Sequence, residues 1–180
     1  MTQTLKLLID RTKTPIGELI VIADEDGALR SLDWSDHEAR MRQLLRRHYG
    51  QDGYTLTKRR DPHGLSAAME AYFAGSLNAI EALKVGTGGT DFQRRVWRAL
   101  RKIGCGKAIT YAELARRIGQ PTAVRAVGLA NGANPISIVV PCHRVIGSDG
   151  SLTGYGGGIS RKRWLLVHEG ALLPELRAAG

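Results

Sequence analysis

Short apolar-rich runs open the chain. Leu5 to Ile9, Glu18 to Ala23 and Ala28 to Trp34 have strand length. Between them stand the turn formers Pro15-Ile16-Gly17 and Asp24-Glu25-Asp26-Gly27. At Ser35 the period changes to that of a helix. Ser35 and Glu38 have the spacing of a capping box, which predicts a helix to about Tyr49 that breaks at Gln51-Asp52-Gly53. A strand over Tyr54 to Thr57, a basic loop from Lys58 to His63, and a helix from Leu65 to Ala74 stopped by Gly75 complete this half. The pattern predicts an α/β unit with a small antiparallel sheet.

Gly86-Thr87-Gly88-Gly89 is the best boundary candidate. It lacks the Lys-Ser/Thr pair and the strand-to-helix setting of a phosphate loop. The organisation read from the pattern is therefore 1–85, 86–170 and a tail over 171–180. Thr90 with Gln93 caps the next helix, which runs to about Ile103. Phe92, Val96, Leu100 and Ile103 line one face, while Arg94, Arg95, Arg98, Arg101 and Lys102 read as a mostly solvated remainder. Thr110 with Glu113 opens a helix through Ile118. Ala115 and Gly119 then supply the small residue and the flexible turn that a helix-turn-helix needs, before a second helix from Pro121-Thr122 to about Asn131. The second half is thus mainly α. Its apolar run Ile136 to Val140 reads as a buried strand.

Charge sharpens this division. Residues 1–85 carry 12 Lys/Arg against 12 Asp/Glu, whereas residues 86–180 carry 14 against 5, so the whole net charge of +9 sits in the second half. A one-sided basic domain suits a polyanion such as nucleic acid, although a solubility surface would look the same. Two cysteines, Cys105 and Cys142, argue against a disulfide framework and suit a reducing cytoplasm. Neither the cysteine spacing nor the five scattered histidines has the form of a zinc site, so no metal is expected. Met1 to Asp10 lacks the apolar core of a signal peptide, and no run is long enough to span a membrane.

The chemistry concentrates in Pro141-Cys142-His143-Arg144-Val145. A thiolate is the nucleophilic form of cysteine, and an adjacent His or other cation lowers the thiol pKa. Side chains of neighbouring strand residues point to opposite faces. If His143 is to serve Cys142, the backbone must bend, and Pro135 and Pro141 favour a turn just past the strand. The second helix of the helix-turn-helix adds a second anomaly. Between Ala123 and Ala130 its only polar side chain is Arg125. That is too few for major-groove readout, but its small residues would let the backbone enter a minor groove. Taken alone, the helix reads better as a plain buried one whose Arg forms an ion pair.

These features resemble the O6-alkylguanine-DNA alkyltransferases, in this order: the helix-turn-helix with one Arg, Asn134-Pro135, Pro-Cys-His-Arg-Val, Gly154-Tyr155-Gly156-Gly157-Gly158, Lys162-Arg163-Trp164-Leu165-Leu166 and His168-Glu169-Gly170. The resemblance is strong over about residues 90–170 and looser before. It implies a ribonuclease-H-like support domain followed by a winged-helix-like DNA-binding domain.

The resemblance also implies roles. Cys142 would accept the alkyl group, His143 would activate it through a bridging water, and Glu169 would orient His143. Tyr111 would hydrogen-bond the flipped guanine, and Asn134 would brace the turn. Arg125 would fill the gap in the duplex, with Thr122, Ala123, Ala126 and Gly128 against DNA. Val145, Tyr155, Gly156 and Gly157 would line the pocket. The expected reaction is one irreversible transfer per molecule from O6-alkylguanine, and from O4-alkylthymine, after flipping from the minor groove. No cofactor is implied. The expected partner is double-stranded DNA, met by a monomer in the cytoplasm, with cooperative binding left open. A non-repairing binder of the same fold lacks the cysteine, and a cysteine hydrolase usually draws its His from a distant segment.

Overall fold

The computed structural model describes residues 3–173. In its first unit, β1 (Leu5–Thr14), β2 (Gly17–Asp24) and β3 (Leu29–Trp34) form an antiparallel meander. β1 continues five residues past the predicted Ile9. The polar stretch from Asp10 to Lys13 hides this extension, but its backbone pairs with β2 as far as Thr14 opposite Gly17. Its side chains have partners too: Ser66 Oγ donates to Asp10 at 2.7 Å, Arg11 binds Glu18 and Glu38, and Thr12 donates to Glu70.

The helix that follows is α1 (Glu38–Tyr49), preceded by one 3-10 turn at Ser35–His37. The predicted capping box does not form. His37 stands at the N-cap without a side-chain bond, and Glu38 instead accepts from Arg11 at 2.8 Å and Arg42 at 2.7 Å. Because α1 carries the chain across the sheet, β4 (Tyr54–Lys58) enters parallel to β1, giving the order β3-β2-β1-β4. The sheet is therefore mixed, not purely antiparallel as the pattern predicts: a helical crossover returns the chain in the same direction, whereas a hairpin reverses it. Five consecutive residues of β2, Leu19 to Ala23, are fully buried. Burial of successive residues means that both faces are covered. On one face Leu7, Ile20 and Ile22 meet Met41 and Leu45 of α1. The helix α2 (Leu65–Phe73) packs against β1 and buries Leu65, Met69 and Tyr72.

The chain divides into two compact units between Gly89 and Thr90. The second unit begins with α3 (Asp91–Leu100), whose Thr90–Gln93 capping box forms as predicted, though the helix ends before Ile103. Next come the short strand β5 (Ile109–Thr110), α4 (Tyr111–Arg117) and α5 (Val124–Gly132). Thr110 caps α4 by accepting from the Glu113 amide, while the Glu113 carboxylate binds Arg116 and Arg117 instead of closing the box. The helix-turn-helix signal holds, with Ala115 fully buried and Gly119 at a φ of 74°. α5 starts later than predicted, because Pro121 and Thr122 form the turn. Trp97 Nε1 donates to the Ala130 carbonyl at 2.9 Å, tying α3 to α5. The strand β6 (Val145–Ile146) pairs in parallel with β5, and α6 (Ile159–His168) closes the unit. Of the expected tail, residues 174–180 lie outside the described residues. No helix among the described residues is long and apolar enough to cross a membrane.

Candidate active site

The predicted strand over Ile136 to Val140 is a turn. Its cause is Asn134, whose buried side chain takes over the backbone groups that a strand would pair. Asn134 Oδ1 accepts from Ile136 N at 2.9 Å, and Nδ2 donates to Val140 O at 2.7 Å and Ile136 O at 3.3 Å. Val140 N then closes on Ile136 O at 3.0 Å. The turn needs Ile138 at a φ of 71°, a conformation rare for a β-branched residue. Apolar content made this segment look like a strand, and side-chain capture of its main chain makes it a turn. Pro141 leads directly into a 3-10 turn at Cys142–Arg144, so Cys142 and His143 are not in extended conformation.

Cys142 is 6% exposed, and His143 is fully buried. His143 Nε2 lies 2.9 Å from Glu169 Oε1. Arg144 holds both oxygens of the same carboxylate, Nε to Oε2 and Nη2 to Oε1, each at 2.9 Å, and its Nη1 donates to Ile103 O at 2.6 Å. Burial alone would push the Glu169 carboxyl up, but His143 and Arg144 outweigh it and hold the carboxyl well below the usual range. Burial pushes His143 down, against the pull of Glu169. The pair at neutral pH is therefore an ionised Glu169 and a neutral His143. Nε2 must carry the ring proton to donate to the carboxylate, which leaves Nδ1 as an acceptor. Nδ1 is buried and has no hydrogen-bond partner within the protein.

A lysine near the start of a helix ordinarily keeps its ammonium in water, yet the Lys162 side chain is fully buried. Nζ donates to the carbonyls of Val145 at 2.6 Å, Thr153 at 3.0 Å and Gly154 at 3.3 Å. Burial pulls its pKa down to about 8, partly opposed by the charge of Cys142. Thr153 O also accepts from the Tyr111 hydroxyl at 2.9 Å. Burial and the nearby Cys142 charge push the Tyr111 hydroxyl up.

The residues expected to act together fall into two connected sets. Asn134 Nδ2 and Cys142 N both donate to the Val140 carbonyl, and His143, next in the chain, pairs with Glu169. Tyr111, Val145 and the loop before α6 meet at Lys162. Tyr155 and Gly156 are half-buried in that loop and Gly157 is buried. On α5, Arg125 and Ala126 are exposed and Gly128 half-buried, while Thr122 and Ala123 precede the helix. Among the described residues Arg125 makes no ion pair, which removes the reading of a buried helix with a paired Arg. Leu129, one turn on, is 72% exposed. Sequence reasoning missed three residues: Arg144 as the clamp on Glu169, the buried Lys162, and Asn131, whose Nδ2 lies 3.4 Å from Cys142 O. The Lys-Arg-Trp-Leu-Leu spacing signals Lys162 weakly, since the buried Leu165 and Leu166 set which side of α6 faces inward.

A mixed-sheet unit followed by a helix-turn-helix unit with a buried Cys-His-Glu set defines a two-domain, cysteine-bearing nucleic-acid-binding class. Family models agree: residues 7–87 match the ribonuclease-like domain of 6-O-methylguanine DNA methyltransferase, and residues 91–171 match its DNA-binding domain. The chain belongs to that family. It is 55% identical over 169 residues to the methylated-DNA–protein-cysteine methyltransferase of Salmonella typhimurium, covering 94% of this chain and 99% of that one. The Mycobacterium bovis protein of the same name is 56% identical over 117 residues, 63% of this chain and 70% of its own. Among solved structures, Mycobacterium tuberculosis OGT in complex with DNA matches with a TM-score of 0.75 and 39% identity, over 98% of this chain and 100% of that one.

Proposed function

We propose that this protein repairs DNA by transferring an alkyl group from O6-alkylguanine, and from O4-alkylthymine, to Cys142. The observation that carries the reading is a cysteine on a bent backbone beside a buried His143, which an ionised Glu169 pins with Nδ1 as the free acceptor. His143 takes the thiol proton through one water, and the thiolate attacks the alkyl carbon. The carbon–oxygen bond breaks, its electron pair passes to the base, and the Tyr111 hydroxyl stabilises the charge that develops there. Asn134 holds the turn that presents Cys142. The product is a thioether, which no step of reversible thiol oxidation produces or removes, so each molecule acts once.

The lesion sits inside a duplex, so the base must leave the stack at a cost of a few kcal/mol. Arg125, exposed on a helix of small residues, fills the space it leaves from the minor groove. Thr122, Ala123, Ala126 and Gly128 lie against the DNA backbone, and Val145 with Tyr155 to Gly157 lines the base pocket. The first unit, neutral overall, acts as support. The protein works as a monomer on duplex DNA in the cytoplasm, a compartment that suits two cysteines outside any disulfide. Mass spectrometry after incubation with an O6-methylguanine duplex tests the reading. One added methyl on Cys142 is expected, absent in Cys142→Ala; an unmodified Cys142 alongside repaired DNA overturns it.

A further inference from the structure

Along α5 and the turn before it, Thr122, Arg125, Ala126, Leu129 and Gly132 are exposed, at the three- and four-residue intervals of one helix face. Val127, Ala130 and Asn131 are buried on the other side. Only Arg125 and Leu129 project long side chains from the exposed face. Leu129 is 72% exposed, more than any other large apolar side chain among the described residues. A lone surface leucine needs no explanation. This one stands on the face from which Arg125 enters DNA, and the alanine and glycine beside it put no bulk between it and a groove.

Side chains four apart on a helix stand about 5–6 Å from each other, and base pairs stack about 3.4 Å apart. With Arg125 in the gap left by the flipped base, Leu129 therefore meets the minor-groove edge within about two pairs of it. Apolar wedges, leucine among them, are a usual tool of minor-groove proteins. A leucine there excludes water and offers no hydrogen bond. Every pair presents N3 and O2 acceptors on the groove floor, so these do not tell one pair from another. The 2-amino group of guanine is the one polar group that does. The cytosine opposite takes one of its hydrogens, and water ordinarily takes the other. Leu129 displaces that water and leaves an N–H unmet, which costs more than a contact merely not made.

We infer that Leu129 reads the base pair next to the lesion, favouring a pair without a 2-amino group in the minor groove, A·T over G·C. This rests on the reading of α5 as the element that enters the minor groove.

The test replaces guanine by hypoxanthine in a G·C pair on the 5′ or the 3′ side of O6-methylguanine, which removes the 2-amino group and leaves the major-groove edge intact. Hypoxanthine also pairs more weakly with cytosine, an effect common to every variant. The readout is therefore the ratio of single-turnover transfer rates, hypoxanthine flank over guanine flank, in the wild type against Leu129→Ala. On at least one flank the wild-type ratio exceeds the Leu129→Ala ratio by about fivefold. Leu129→Asn, whose side-chain oxygen can accept from the amino group, also falls below the wild-type ratio. A wild-type ratio that exceeds neither variant's on either flank overturns the inference. Arg125→Ala at the wild-type rate on every duplex overturns instead the reading of α5 beneath it, a distinct result.

Discussion

Replacing Arg144 with Met would strip the buried Glu169 carboxylate, 5% exposed, of its guanidinium partner while leaving the His143 Nε2–H bond. The bonds lost include two to Glu169 at 2.9 Å and one to Ile103 O at 2.6 Å. Removing one member of a buried ion pair costs about 3–5 kcal/mol, mostly because the other charge stays buried without compensation. Against a typical total of roughly 5–15 kcal/mol, such a loss moves the urea midpoint far down. Arg144→Lys keeps the charge but cannot reach both carboxylate oxygens and the Ile103 carbonyl, so it falls between the two.

Glu169→Gln combined with Arg144→Met should cost less than the sum of the single changes by about 0.5–3 kcal/mol, since the charge that Arg144 serves is gone. Acid sensitivity follows as well. A carboxyl held low in the folded state contributes stability above its unfolded pKa, about 4.3, and that contribution is lost as pH falls towards its folded value. Arg144→Met therefore shows a smaller loss on acidification below about pH 4 than the wild type. Urea unfolding across pH measures both effects. An Arg144→Met protein within about 1 kcal/mol of the wild type would refute the clamp.

Three further outcomes follow from the geometry. Asn134→Ala strips three bonds from the turn before Cys142 and should cost about 2–3 kcal/mol by chemical denaturation; a loss below about 0.5 kcal/mol would show that the turn holds without it. Lys162 titrates at about 8 in the folded protein, below its unfolded value, so its burial opposes folding below pH 8 and that opposition fades as pH rises from 8 to about 10.4. Wild-type stability should gain on the order of 2–3 kcal/mol over that window relative to Lys162→Met, and parallel pH profiles would contradict the assignment. Arg125→Ala should slow transfer from duplex DNA by about tenfold or more while leaving reaction with the free modified base within about twofold; equal losses on both would remove Arg125 from its place in the duplex.

Much of the fold is legible where local signals agree with tertiary structure. The Thr90–Gln93 box and the Ala115 to Gly119 turn both form, because their side-chain and glycine requirements are met within a few residues. Signals fail where a distant partner decides. Glu38 has cap spacing but lies within reach of Arg11 and Arg42, and two guanidinium partners outcompete a cap. β1 runs on through polar residues because β2 supplies its main-chain bonds. The parallel pairing of β4 depends on how a helix crosses the sheet, which no alternation pattern records.

The site divides in the same way. Cys142 and His143 declare themselves by adjacency. The reason they lie on a turn is Asn134, a residue whose effect is visible only once its amide is seen spanning Ile136 to Val140. Lys162 looks like a surface cation in the sequence, and Arg144 like a charge that serves the neighbouring thiol. Burial beside carbonyls and a carboxylate gives them their meaning.

In the proposed reaction Cys142 is consumed, not regenerated. Titrating a fixed amount of protein with excess O6-methylguanine duplex and counting the lesions removed tests it most directly. Removal should plateau at one lesion per protein molecule, with no recovery on longer incubation and none at all in Cys142→Ala. Continued removal beyond one lesion per molecule would contradict it.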